Sequence, residues 1–198
     1  MDLYGHPLSA PTREVQVLCR QLGIECELIE VKQGGDAYLP EALNPLCKVP
    51  MIDDDGFTLA EVHAIQRFLV ARFGREGSLY PVEPAARAVA DQWLAWQAQR
   101  LAVQSAEQFY CKRLNVEVAG AEQRLAKSAD ILGQLLPELE LALGDGSVNG
   151  SEISLVVIAL VVSLDQLVAS DFDLAAWPAI SAFEESWAGK SPFLASIK

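Results

Sequence analysis

Histidine and methionine occur only twice each in 198 residues, and Lys plus Arg total 15 against 27 Asp plus Glu. Two histidines cannot furnish a His-rich metal centre. The four cysteines, Cys19, Cys26, Cys47 and Cys111, include no CxxC pair. A structural zinc site therefore has no ligand set to draw on, and no metal is expected. The scarce basic residues form no stripe either. Seven Lys and Arg face twelve Asp and Glu over residues 1–80, and eight face fifteen over the rest, so the net charge of −12 is spread along the chain. Binding to nucleic acid or to an anionic membrane, which needs clustered cations, is excluded on this reading. Scattered thiols without a disulfide framework suit a reducing, cytoplasmic compartment. The opening Met1-Asp2-Leu3-Tyr4-Gly5-His6-Pro7 lacks the basic and apolar regions of a signal peptide. Long hydrophobic runs are missing too. The most apolar stretch, 153–164, contains two serines and is too short to cross a bilayer, so it reads as a buried helix.

What is present is apolar material for a core. Hydrophobic residues make up 51% and charged residues 21%, the balance of a globular chain long enough for one large or two small domains. The first eighty residues alternate strand and helix signals. Leu3-Tyr4 reads as a brief strand ending in Gly5 and Pro7. The segment 11–22 carries Val15, Val17, Leu18 and Leu22, with Pro11 placed for the first helical position and Gly23 at the end. Residues 27–31 read as a second strand closed by Gly34-Gly35, and a short helical piece at 38–43 precedes Asn44-Pro45. Residues 50–52 and 57–59 flank Asp53-Asp54-Asp55-Gly56, a hairpin signal. Val62, Ile65, Phe68 and Leu69 then give one apolar helix face. The predicted order is βαβ, an intervening helix, then ββα over residues 1–75.

Residues 76–84, with Gly77, Pro81 and Pro84, read as a linker, and 85–198 as an all-helical domain. Val89, Trp93, Trp96 and Val103 predict one face of a long helix, with Arg100 inside the stripe. Leu125, Leu132, Leu136, Leu139 and Leu143 mark another, ended by Gly144-Asp145-Gly146. Pro137 removes a backbone bond there, so a bend is expected. Asn149 with Glu152 resembles a capping box for the apolar helix that follows. Pro178 and Pro192 are expected to open two short terminal helices.

Three segments carry chemistry. Ser9 lies just before a helix N-terminus, where unpaired N–H groups and the helix dipole favour an anion, a thiolate included. A hydroxyl at that place can donate to sulfur and hold it deprotonated; it can equally serve only to start the helix. In 44–50, Asn-Pro-Leu-Cys-Lys-Val-Pro, Pro50 opens a strand. A cis Val49-Pro50 bond would present the backbone edge of Val49 to an extended peptide; the plainer reading is a loop ending at an edge strand. Glu61 begins a helix after the hairpin, where an acid caps the helix or receives an ammonium group.

Together these segments resemble the glutathione transferase family over nearly the whole chain. Residues 44–50 are similar to its Asn-Pro-x-Gly-Lys-Val-Pro signature, followed by an acidic hairpin and Glu61-Val-His-Ala-Ile65-x-Arg67-Phe-Leu69. Ser9 resembles the active-site serine of the theta- and phi-like, serine-type classes. The resemblance implies an α/β thioredoxin-like glutathione-binding domain followed by an all-α domain, working as a cytoplasmic homodimer in detoxification. Ser9 would activate the glutathione sulfur for attack on small apolar electrophiles. Val49 would pair with the cysteinyl backbone across a cis Pro50. Lys48 would help with the glycyl end, and Glu61 would hold the γ-glutamyl group. This sequence departs from the pattern at three places: Val62 replaces a serine whose hydroxyl binds the γ-glutamyl carboxylate, Cys47 replaces glycine, and 34–36 reads Gly-Gly-Asp where a basic residue is common. The backbone N–H of Val62 can still donate. The fold also serves non-catalytic ligand-binding proteins and protein-interaction modules. A depressed pKa of the bound thiol separates an enzyme from a simple carrier, and a defined partner in a pull-down would favour the interaction module.

Other residues weigh less. Tyr4 falls within the first strand rather than beyond it, and His6 and His63 have no evident partner. Trp93, Trp96, Phe109 and Tyr110 could line an apolar pocket, although the helical spacing of the tryptophans also fits core packing. The Cys47 thiol is either a redox handle or inert.

Overall fold

The computed structural model describes residues 1–31, 48–113 and 119–188, and the chain divides into units 1–90 and 91–198. The first unit begins with strand β1 (Asp2–Gly5), helix α1 (Ala10–Leu22) and strand β2 (Glu27–Glu30). Strands β3 (Met51–Asp54) and β4 (Phe57–Ala60) and helix α2 (Val62–Phe73) follow. The sheet order is β2-β1-β3-β4, with β1 parallel to β2 and the other pairs antiparallel. This is the thioredoxin-like arrangement. The expected pieces at 34–36 and 38–43, the Asn44-Pro45-Leu46-Cys47 half of the loop motif and the helix at Pro192 lie outside the described residues.

Local chemistry explains the elements. α1 starts one residue earlier than expected, at Ala10, so Pro11 is its second residue rather than its first. The N–H that proline lacks is one of the helix's unsatisfied donors at either position. Gly23 ends α1 at φ 67°, and its N–H and that of Ile24 return to Arg20 and Cys19 carbonyls. The β3–β4 pairing Asp54↔Phe57 leaves Asp55-Gly56 as a two-residue turn with φ 54° and 90°, the geometry that an Asp-Gly pair favours. The Gly56 N–H also donates to Asp53 Oδ1 at 2.8 Å. Leu3, Val15, Leu18, Met51, Ile52, Ile65 and Leu69 fill the core, with α1 packed on α2.

Helix α3 (Pro84–Trp96) continues through a π-helical turn, Gln97–Leu101, into α4 (Ala102–Arg113). The stripe expected on this stretch is overturned at its ends: Val89 and Val103 are about half exposed. The inward positions are Ala90, Leu94, Gln97, Leu101, Ser105 and Gln108. Three of these six are polar, so a hydrophobicity pattern points to the wrong face. Gln97 Nε2 reaches Ser163 Oγ at 2.8 Å and the Ala159 carbonyl at 3.3 Å, which satisfies a buried amide donor. Trp93 and Trp96 pack against the helical core and meet edge-on at 5.4 Å. Phe109 is buried and Tyr110 is exposed.

Helix α5 (Ala121–Gly144) buries Leu132, Leu136 and Leu139 as expected, and it runs on through Pro137. Gly133 and Pro137 lie on its exposed side, where water can take the carbonyl that proline cannot bond. Helix α6 (Leu155–Ala169) is the buried apolar run, and no described helix is long and apolar enough to cross a membrane. Its cap corrects the expected Asn149–Glu152 box: Ser154 Oγ accepts from the Val157 N–H at 3.2 Å. The Asn149 side chain is engaged in a turn, accepting from both the backbone and the hydroxyl of Ser151. Helix α7 (Pro178–Ala188) opens at Pro178, and the Glu140 carboxylate of α5 accepts from the Ala179 and Ile180 N–H groups, each at 2.9 Å.

Candidate functional site

Strand register decides where the sequence-predicted residues meet. Tyr4 pairs with Met51, and Met51 with Ala60, so one row crosses β1, β3 and β4. The residues just past that row, Gly5, Pro50 and Glu61, therefore share one end of the sheet, with strands about 4.8 Å apart. Tyr4 itself lies inside β1. From Gly5 the chain turns through His6-Pro7-Leu8, with the Ser9 N–H returning to the His6 carbonyl at 2.9 Å. Ser9 is the N-cap of α1 (φ −76°, ψ 120°), half-buried, and its Oγ accepts from the Thr12 N–H at 3.4 Å. A hydroxyl has one proton and two acceptor positions. Capping uses an acceptor position and leaves the proton to donate outward. Ser9 can thus cap the helix and bind an anion at once.

Gly5 sets how closely β1 approaches α1. A Cβ there would lie 2.4 Å from Thr12 Cγ2 and 2.6 Å from its Oγ1. Gly5→Ala must push the first turn of α1, and Ser9 with it, away from the sheet. The expected loss is about 1–3 kcal/mol of stability by urea unfolding. An unchanged midpoint would show that the turn yields freely.

The Val49-Pro50 bond is cis, as expected. Lys48 is exposed, Val49 half-buried and Pro50 buried, and Val49 precedes the first β1–β3 ladder pair, Tyr4↔Met51. Glu61 precedes α2 with φ 73° and ψ 116°, a region that residues with a Cβ seldom occupy. It is exposed and its side chain makes no capping bond. The side-chain capping reading of Glu61 is thereby overturned: its carboxylate makes no bond to the N–H groups of α2. Val62, the first residue of α2, is half-buried.

Beneath this end of the sheet lies a polar cluster that periodicity does not reveal. Thr12, Arg13 and Glu14 of α1 are at most 2% exposed. Glu14 Oε2 accepts from Gln66 Nε2 at 3.3 Å and lies 3.6 Å from His63 Nε2. The histidines are therefore not isolated: His63 has Glu14, and His6 Nε2 lies 4.0 Å from Glu30 Oε1. His6 Nδ1 also accepts from the Leu8 N–H. The signal for His63 was in the sequence only as two polar residues on the inward side of two helices.

Residues 3–77 match the description "Glutathione S-transferase, N-terminal domain". Glutathione S-transferase D7 of Anopheles gambiae is 30% identical over 184 residues, covering 91% of this chain and 83% of that protein. The chain belongs to the glutathione S-transferase family. Glutathione S-transferase D7 of Drosophila melanogaster is 28% identical over 197 residues, covering 97% of this chain and 84% of that protein. A solved delta-class glutathione transferase of Nilaparvata lugens superposes with a TM-score of 0.83 at 28% identity, covering 96% of this chain and 89% of that one. The transferase likeness thus extends through the helical unit as well as residues 3–77. Among the described residues, no group of three or more His, Cys, Asp or Glu could hold a metal ion.

Proposed function

We propose that this glutathione transferase joins the sulfur of glutathione to small apolar electrophiles, with Ser9 as the residue that holds the thiolate. The observation that carries the reading is the Tyr4–Met51–Ala60 row, which puts the Ser9 helix start, Val49-Pro50 and Glu61 at one end of one sheet. Those groups suit a γ-linked peptide thiol. The hydroxyl of Ser9 and the N-terminal end of α1 favour negative sulfur. The backbone edge of Val49 suits the cysteinyl unit, and the Lys48 ammonium the glycyl carboxylate. The uncapped carboxylate of Glu61 suits the γ-glutamyl ammonium, and the Val62 N–H its carboxylate. The chain contributes a stabilised nucleophile and proximity rather than a covalent intermediate. A serine-type mechanism is that of the theta- and phi-like classes that the Ser9 motif resembles, although the solved relative from Nilaparvata lugens is named a delta-class enzyme. The electrophile site would belong to the helical domain, joined through a linker at 76–84. A cytoplasmic homodimer serving detoxification completes the proposal, and a single species of monomer mass in sedimentation at micromolar concentration would refute the dimer.

Isothermal calorimetry with glutathione tests the reading directly. Val62→Ser should tighten binding about tenfold, because a hydrogen bond to a charged group contributes roughly 1.5–3 kcal/mol. No measurable binding by either protein would remove glutathione from the proposal.

A further inference from the structure

We propose that Cys19 and Cys26 form a reactive dithiol that a low-mass disulfide oxidises to an intramolecular disulfide bond. Cys19 sits in the last turns of α1, 1% exposed, while Cys26 lies just before β2 and is half-exposed. The chain between them reverses at Gly23, whose left-handed backbone and the Ile24 N–H bond to the Cys19 carbonyl fold residues 24–26 back along the helix. The reversal brings the two side chains into hydrogen-bond contact. The Cys19 thiol donates to the Cys26 sulfur, which pushes Cys26 below the ordinary thiol range and Cys19 above it. Burial opposes the first shift and adds to the second. The accessible sulfur is thus the better nucleophile, and the buried one stands beside it as the second thiol.

The chemistry balances as two thiol–disulfide exchanges. The Cys26 thiolate attacks one sulfur of glutathione disulfide, forming a mixed disulfide and expelling one glutathione thiolate. That thiolate, or water, takes the Cys19 proton. The Cys19 sulfur then attacks the Cys26 sulfur and expels the second glutathione. Two protein thiols are oxidised by two electrons, and one glutathione disulfide is reduced to two glutathiones. Nothing in these steps requires the transferase site, so the dithiol and the transferase reading succeed or fail separately.

The test uses the full chain with Cys47→Ser and Cys111→Ser, so that only this pair can react. After incubation with glutathione disulfide, the thiol titre should fall from two to zero, and the intact mass should drop by two hydrogens. Trypsin without reductant should release peptides 14–20 and 21–32 joined by one disulfide, and dithiothreitol should separate them. Adding Cys19→Ser should stop the reaction at a stable glutathione adduct on Cys26. Adding Cys26→Ser should leave Cys19 unmodified. An unchanged titre, or a lasting glutathione adduct on Cys26 with Cys19 present, would overturn the proposal.

Discussion

Replacing Ser9 by alanine should lower turnover about 100-fold while leaving glutathione affinity within about twofold. The magnitude is that of removing one donor aimed at developing or held negative charge. Affinity survives because the peptide would be gripped by Val49, Lys48 and Glu61, none of which the substitution touches. Ser9 is also the α1 cap, so the alanine variant should lose about 1 kcal/mol of stability. A second variant separates the two effects. Ser9→Asp keeps an oxygen for the Thr12 N–H, and an acid is as good a cap as serine. It cannot donate a proton once ionised, and it places negative charge where the thiolate belongs. Its stability should match the parent while its turnover falls at least as far as that of Ser9→Ala. The measurements are urea unfolding, calorimetry with glutathione, and steady-state rates with a generic aromatic electrophile. If turnover in Ser9→Ala stays within about twofold of the parent, Ser9 caps α1 and nothing more.

The first unit was legible because its elements are punctuated by local chemistry. Pro11 and Gly23 bracket α1, Asp55-Gly56 turns the hairpin, and Pro50 marks the edge of β3. Each of these acts through backbone constraints on one or two residues, which a sequence states directly. The register that gathers the site at one end of the sheet was not stated. It depends on β1 pairing parallel to β2 and antiparallel to β3, a long-range choice. The helical unit was legible in its apolar parts, α6 and the leucines of α5, and misread where polar residues face inward. Gln97, Ser105 and Gln108 are buried among helices while Val89 and Val103 meet solvent. The π-helical turn at Gln97–Leu101 adds a residue to one turn and shifts the face again. Asn149 misled for a related reason: its side chain serves a local turn, and the true cap, Ser154, stands five residues later.

Glu14 should prove the most consequential of the residues that periodicity conceals. It is 1% exposed, and its one carboxylate oxygen faces both Gln66 at 3.3 Å and His63 at 3.6 Å. The two partners are three residues apart on α2, so they share a face and are held together from α1. Truncation to alanine removes the acceptor of the buried Gln66 amide and the carboxylate beside His63, and opens a cavity, an expected loss of roughly 3 kcal/mol. Glu14→Gln keeps an amide oxygen for Gln66 and gives up the charge toward His63, so its loss should be less than half as large. The same contacts fix the first two turns of α2, which begin at Val62 directly after Glu61. In Glu14→Gln, the KM for glutathione should therefore rise several-fold with kcat little changed, since Ser9 is carried by the opposite end of the contact. A purely structural role would lower the amount of folded enzyme and leave KM where it was. Urea unfolding of both variants, with KM and kcat measured on the folded fraction, separates these outcomes. A loss below about 1 kcal/mol in Glu14→Ala would mean that His63 and Gln66 find water or each other, and that the α1–α2 contact rests on its apolar residues alone.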